Sequence, residues 1–137
     1  MKKVKQTKFG NEGNCFAACV ASILETPLEL VDYACSEDNW FHEYASQLYK
    51  DTGIVMVGAG LRPDGAPVIY GGAYVIVTGK NRKGTHRHAA VATMERNKLN
   101  TDFEIIHDPI GTTQLEMDKV DAVFILTRRV ALTHLTK

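Results

Sequence analysis

Three cysteines, four prolines and a single tryptophan are all that this 137-residue chain carries of those residue types. Three cysteines are too few, and odd in number, for the disulfide framework of a small secreted domain. No stretch reaches the roughly 18 consecutive apolar residues of a membrane span. The basic start, Lys2, Lys3, Lys5 and Lys8, runs into polar residues and glycine. It lacks the apolar segment that a secretory signal needs. Charge of one sign is also missing. Lys+Arg and Asp+Glu both number 16, so there is no strong basic field of the kind that non-specific nucleic-acid binding requires. Repeats and low-complexity segments are absent. These absences predict a cytoplasmic protein with reduced thiols, whose partners include neither nucleic acid nor membrane.

What is present is globular material. Apolar residues make up 45% and charged residues 23% of the chain, close to the soluble average. The length suits one domain over residues 1–137 that buries a core without staples. From Cys15 to Glu25 the sequence CFAACVASILE sets Phe16, Val20, Ile23 and Leu24 at helical spacing among alanines. That predicts a buried helix with Asn14 as its N-cap. Thr26 and Pro27 predict a short second helix capped by Thr26. A third helix is expected from about Asn39 to Asp51, ended by Gly53.

After Gly53 the pattern turns to strands, giving a helical half at about 14–53 and a sheet half at about 54–128. Strands are expected at 54–57, 73–78, 86–94, 103–107 and 122–127, with a small strand or turn at 68–70. A loop is expected over Gly58 to Gly65 and a polar hairpin loop over 79–84. Helices first and strands later, with short connections, imply an α+β fold with an antiparallel sheet. The first helix should pack on Tyr74, Ile76, Ala90 and Ile106, or on their alternating neighbours.

Three places in the chain can carry chemistry. Gly13-Asn14-Cys15 puts a cysteine on the first turn of an apolar helix. A helix N-terminus favours negative charge, and the thiolate is the reactive form of cysteine. A buried free cysteine serves equally well as a small apolar residue. Thr85-His86-Arg87-His88 opens an apolar strand, with His86 and His88 on one face and Arg87 on the other. His88 adjoins the apolar run and is the better candidate for a buried base. His86 suits a solvated loop end. Ile106-His107-Asp108-Pro109 ends a strand on an acid, and Pro109 turns the chain away. Asp108 can then orient the His88 ring and fix its tautomer, or simply terminate the strand as a turn residue.

Taken in order, GNCFAACVASIL, then HAAVA, then IHDP resembles the papain-like cysteine peptidase superfamily. The likeness is greatest to bacteriocin-leader (double-glycine) peptidase domains and to short papain-like proteins of tailed phages. It extends from about Lys3 to Phe124. The resemblance implies a papain-like fold, with the nucleophile helix packed on a C-terminal antiparallel sheet. It implies Cys15 as nucleophile, His88 as general base and Asp108 as orienting acid. It also implies an upstream glutamine as oxyanion donor. Gln6 is the only one available, nine residues before Cys15 and farther away than is usual in the family. Asn14 and Asn11 are alternative donors. The implied activity is that of a hydrolase or acyltransferase acting on a peptide or amide bond. Its substrate would be a peptide or protein, and it would need no cofactor and no metal.

Other functions compete with this one. Cys15, Cys19, His86, His88 and His107 could supply zinc ligands, but their spacing is not that of a structural zinc site. Cys15 and Cys19 do not form the C-x-x-C of a redox pair, and Cys19 is expected to be a packed core residue. Cys35 has no companion motif. Trp40, Phe41, His42, Tyr44 and Tyr49 divide between core and the wall of a groove. A binding module that keeps the groove without turnover, such as a phage protein directed at a host protein, is the main alternative.

Overall fold

The computed structural model describes residues 1–10, 13–60, 74–94, 103–115 and 120–128. Helix α1 (Cys15–Leu24) and helix α2 (Trp40–Thr52) precede five strands. The strands are β1 (Ile54–Gly60), β2 (Tyr74–Lys80), β3 (Arg87–Met94), β4 (Phe103–His107) and β5 (Val120–Arg128). They form one sheet in the order β1-β5-β2-β3-β4, with every neighbouring pair antiparallel. The α+β class expected from the sequence is therefore present. The strand or turn expected at 68–70 lies outside the described residues.

Helix α1 is ten residues long, too short to be stable alone. Packing holds it in place. Residues 16 to 22 are all buried, and Ala17, Ala18 and Ala21 let the helix approach the sheet closely. It lies chiefly over β3. The sheet residues that share its core cluster are Ile76 of β2, Ala89 and Val91 of β3 and the half-buried Ile106 of β4. Of the four residues expected against α1, Ile76 and Ile106 are found there. Ala90 instead joins Val75, Val77, Ala92, Leu115, Val120 and Val123 in a separate cluster, and Tyr74 is exposed. The run Ala89-Ala90-Val91-Ala92 has no polar residue to mark which face is which, and a one-residue shift exchanges the faces of a strand.

Several local expectations need correction. Thr26 caps no α-helix. Leu28–Leu30 is a single 3-10 turn preceded by Pro27. Asn14 occupies the N-cap position of α1 but makes no capping bond, because its amide is used elsewhere. The strand expected at 54–57 continues to Gly60, since Gly58, Ala59 and Gly60 pair in full with Phe124, Val123 and Ala122. β5, the last strand in the chain, lies between β1 and β2. β3 begins at Arg87 rather than His86. The end of α2 agrees with expectation: Gly53 takes a left-handed conformation and its N–H bonds the Tyr49 carbonyl.

The N-terminal segment is a strap across the site end of the fold. Val4 N–H donates to Ser22 Oγ at 2.9 Å, and His107 Nε2–H donates to the Val4 carbonyl at 2.7 Å. Gln6 N–H donates to the Pro109 carbonyl at 3.0 Å. The strap thus ties α1 to the end of β4. Among the described residues, no helix is long and apolar enough to cross a membrane.

Candidate active site

Cys15 is the first residue of α1 and is half-buried. Asn14, directly before it, is buried and uses its full hydrogen-bonding capacity. Asn14 Oδ1 accepts from Thr7 N–H at 2.9 Å and Lys8 N–H at 3.0 Å. Its Nδ2 donates to Thr7 Oγ1 at 2.9 Å and Asp32 Oδ2 at 3.0 Å. This clamp joins the strap to the helix start. It also removes Asn14 from the candidates for oxyanion donor. Asn11 lies outside the described residues.

His88 is the second residue of β3 and is 5% exposed. Asp108 follows the last residue of β4 and is also buried. His88 Nε2–H donates to Asp108 Oδ1 at 2.7 Å. Asp108 is itself held by the chain after it. Its Oδ1 also accepts from Ile110 N–H at 3.1 Å, and its Oδ2 from Gln114 N–H at 2.9 Å. The turn-residue role and the orienting role thus belong to the same side chain. His88 is also hydrogen-bonded to the Cys15 side chain. Cys15 and His88 also line the same cleft. Cys15, His88 and Asp108 are therefore brought together in the order thiol, imidazole, carboxylate.

The electrostatics follow from this contact. Burial, the largest influence on His88, lowers its pKa. The hydrogen bonds and charges of Asp108 and Cys15 outweigh it, and the pKa is pushed up from 6.5 to about 9. The ring is therefore cationic at neutral pH. Cys19 lies one turn along α1 and is fully buried. Burial, then the charges of Cys15 and Asp108, push its thiol well above the usual range. It packs as a core residue. All three cysteines are free.

His86 and His107 are engaged elsewhere. His107 serves the strap, and the His86 ring lies against Asn81 and Thr85. Among the described residues, no group of three or more His, Cys, Asp or Glu side chains is placed to hold a metal ion. Gln6 is buried. Its Nε2 donates to the Lys8 carbonyl at 2.9 Å, and its Oε1 has no partner among the described residues.

Cys15 and His88 open onto a cleft of about 470 Å³. Phe16, Trp40, Phe41 and Phe124 form its aromatic side, and Gly58 to Gly60 lie along it. At its rim Arg87 makes a two-pronged pair with Asp121, Nη1 to Oδ2 at 2.8 Å, and Arg87 Nη2 also donates to Thr78 Oγ1 at 3.3 Å. Sequence reasoning did not find Asp121, Phe124 or Thr78 as parts of the site. Asp121 and Phe124 reach it only because β5 is inserted between β1 and β2, a long-range pairing with no local signal, while Thr78 comes from β2.

Scans against protein-family models, curated proteins and solved structures return no match to this chain.

Proposed function

We propose that this chain is a papain-like cysteine hydrolase or acyltransferase that attacks a peptide or amide carbonyl with Cys15. The observation that carries this reading is the placement of His88. Its buried ring is held by Asp108 at Nε2 and interacts with the Cys15 side chain, which lines the same cleft. A cysteine beside a base that is oriented by a third group is the arrangement that activates a nucleophile.

The reaction runs in two halves. The Cys15 thiolate forms a bond to the carbonyl carbon while the charge moves to the oxygen. The N–H groups at the start of α1 have no partner within the helix, and the Cys15 N–H is aligned with the helix dipole to receive that charge. The carbon–nitrogen bond then breaks, and His88 gives its proton to the departing amine. Water, or an acceptor amine, next attacks the thioester and gives its proton to His88, and the Cys15 sulfur leaves. Cleavage, side-chain deamidation and transfer all share this thioester. One Gln6 Nε2–H is engaged by the Lys8 carbonyl, which leaves the other N–H as a second donor for the oxyanion.

That engagement of Gln6 is the specific observation favouring the second reading, a binding module on the same scaffold. Incubating the protein with a peptide library and sequencing the products by mass spectrometry separates the two. The hydrolase reading expects new termini, deamidated side chains or amine adducts with the wild-type chain and none with Cys15→Ala. Identical product maps from the two proteins, with peptides still retained by both, favour the binding module.

A further inference from the structure

We infer that the cleft beside Cys15 is a pocket for a neutral aromatic group carried by the substrate next to the attacked carbonyl, with Trp40, Phe41 and Phe124 as its selecting walls. This rests on the reading of Cys15 as nucleophile and adds the class of substrate.

Four observations converge on it. The first is size. A volume of about 470 Å³ is within the range of cavities that enclose small organic groups, and a site restricted to glycine beside the scissile bond has no use for such a space. The second is the wall. Buried Phe16 meets Trp40 edge-on at 4.7 Å and Phe124 edge-on at 5.1 Å, while Phe41 lies 5.4 Å from Phe124. Trp40 is also stacked on Tyr44 at 5.3 Å, and the Tyr44 hydroxyl is anchored on the Val31 carbonyl at 2.6 Å. The rings are thus fixed in place, yet Trp40 and Phe124 remain only half-buried and Phe41 is 38% exposed. Fixed rings on a concave surface supply apolar area and edge-to-face contacts to an aromatic ligand.

The third observation is Gly58. A Cβ there would lie 2.8 Å from the Phe124 ring and 3.1 Å from the Phe41 ring, so any side chain would displace both walls. Glycine weakens a strand, and its presence within one often marks a close approach by a ligand or another chain segment. In this chain it preserves the shape of the pocket. The fourth is charge. The Arg87 guanidinium at the rim is already matched by Asp121, so among the described lining residues it is not free to receive an acidic side chain.

The test uses the full chain and four alkylating probes: iodoacetamide, N-benzyl chloroacetamide, N-propyl chloroacetamide and N-chloroacetyl glycinamide. Labelling of each cysteine is followed by mass spectrometry. Trp40 is the only tryptophan, so its fluorescence reports entry into the cleft. The benzyl probe should label Cys15 about tenfold faster than the propyl and glycinamide probes, a ratio typical of an apolar pocket. Its labelling should saturate with concentration, and Trp40 emission should change alongside it. Gly58→Val should collapse the benzyl-to-propyl ratio toward one. Phe41→Ala, a truncation of a partly exposed ring, should do the same should the glycine variant fail to fold. Equal Cys15 rates for the three chloroacetamides, or a preference for the propyl or glycinamide probe, overturn the aromatic pocket and leave the nucleophile standing. Slower labelling of Cys15 than of Cys35 by iodoacetamide overturns the hydrolase reading, and the pocket falls with it.

Discussion

His88 and Asp108 form a hydrogen-bonded pair at 2.7 Å with side chains only 4% and 3% exposed. The carboxylate also terminates β4 through two backbone amides. One residue therefore orients the base and closes the turn, so its removal should show in folding as well as in chemistry. Asp108→Ala should destabilise the chain by about 3–5 kcal/mol, because the His88 cation and the two amides lose their acceptor. Asp108→Asn keeps the shape and an acceptor oxygen and should cost less. Urea unfolding of both variants decides the point. Equal stability of Asp108→Ala and wild type contradicts the pairing.

The raised pKa of His88 makes stability depend on pH. A base whose folded pKa lies above its unfolded value binds its proton more tightly in the native state. Its contribution is fully present below the ordinary value of 6.5 and is lost as pH rises through about 9. Melting temperature should therefore fall between these limits, and His88→Gln should flatten that part of the curve. A wild-type curve that is level or rising over this window contradicts the sign.

Mutations along α1 should separate chemistry from folding. Cys15 stands at the helix start and is half-buried, whereas Val20 has no exposed surface. Cys15→Ala should change stability by less than about 1 kcal/mol. Val20→Asp should unfold the chain, since an unpaired carboxylate in an apolar core costs several kcal/mol. Thermal melts followed by circular dichroism measure both. Should Val20→Asp melt like wild type, α1 is not the element that holds the core.

The three residues of the candidate site were legible because each stands at a local boundary. Cys15 follows a glycine-rich segment and opens an apolar helix, His88 begins a run of small apolar residues, and Asp108 precedes a proline. The face of β3 was not legible, because four consecutive small apolar residues carry no alternation to read. Gly58 and Gly60 read as loop because glycine disfavours strands. Only their pairing with β5 and the closeness of the Phe124 ring account for them. Asn14 reads as a cap from its type and position. Its role as a clamp depends on Thr7, Lys8 and Asp32, which come together through tertiary structure alone. Gln6 was legible as a candidate donor, while the Lys8 carbonyl that takes one of its two amide N–H groups was not.

The claim that Cys15 and His88 act as one unit is tested most directly by timed iodoacetamide labelling at pH 6.5, read cysteine by cysteine, in wild type and His88→Ala. In wild type Cys15 should label first. Cys19 is fully buried with a raised thiol pKa, and Cys35 is raised by burial and by Glu43. In His88→Ala the Cys15 rate should drop by about tenfold or more, because the base beside the thiol is gone. Equal Cys15 rates in the two proteins, or labelling of Cys35 ahead of Cys15 in wild type, would contradict the account.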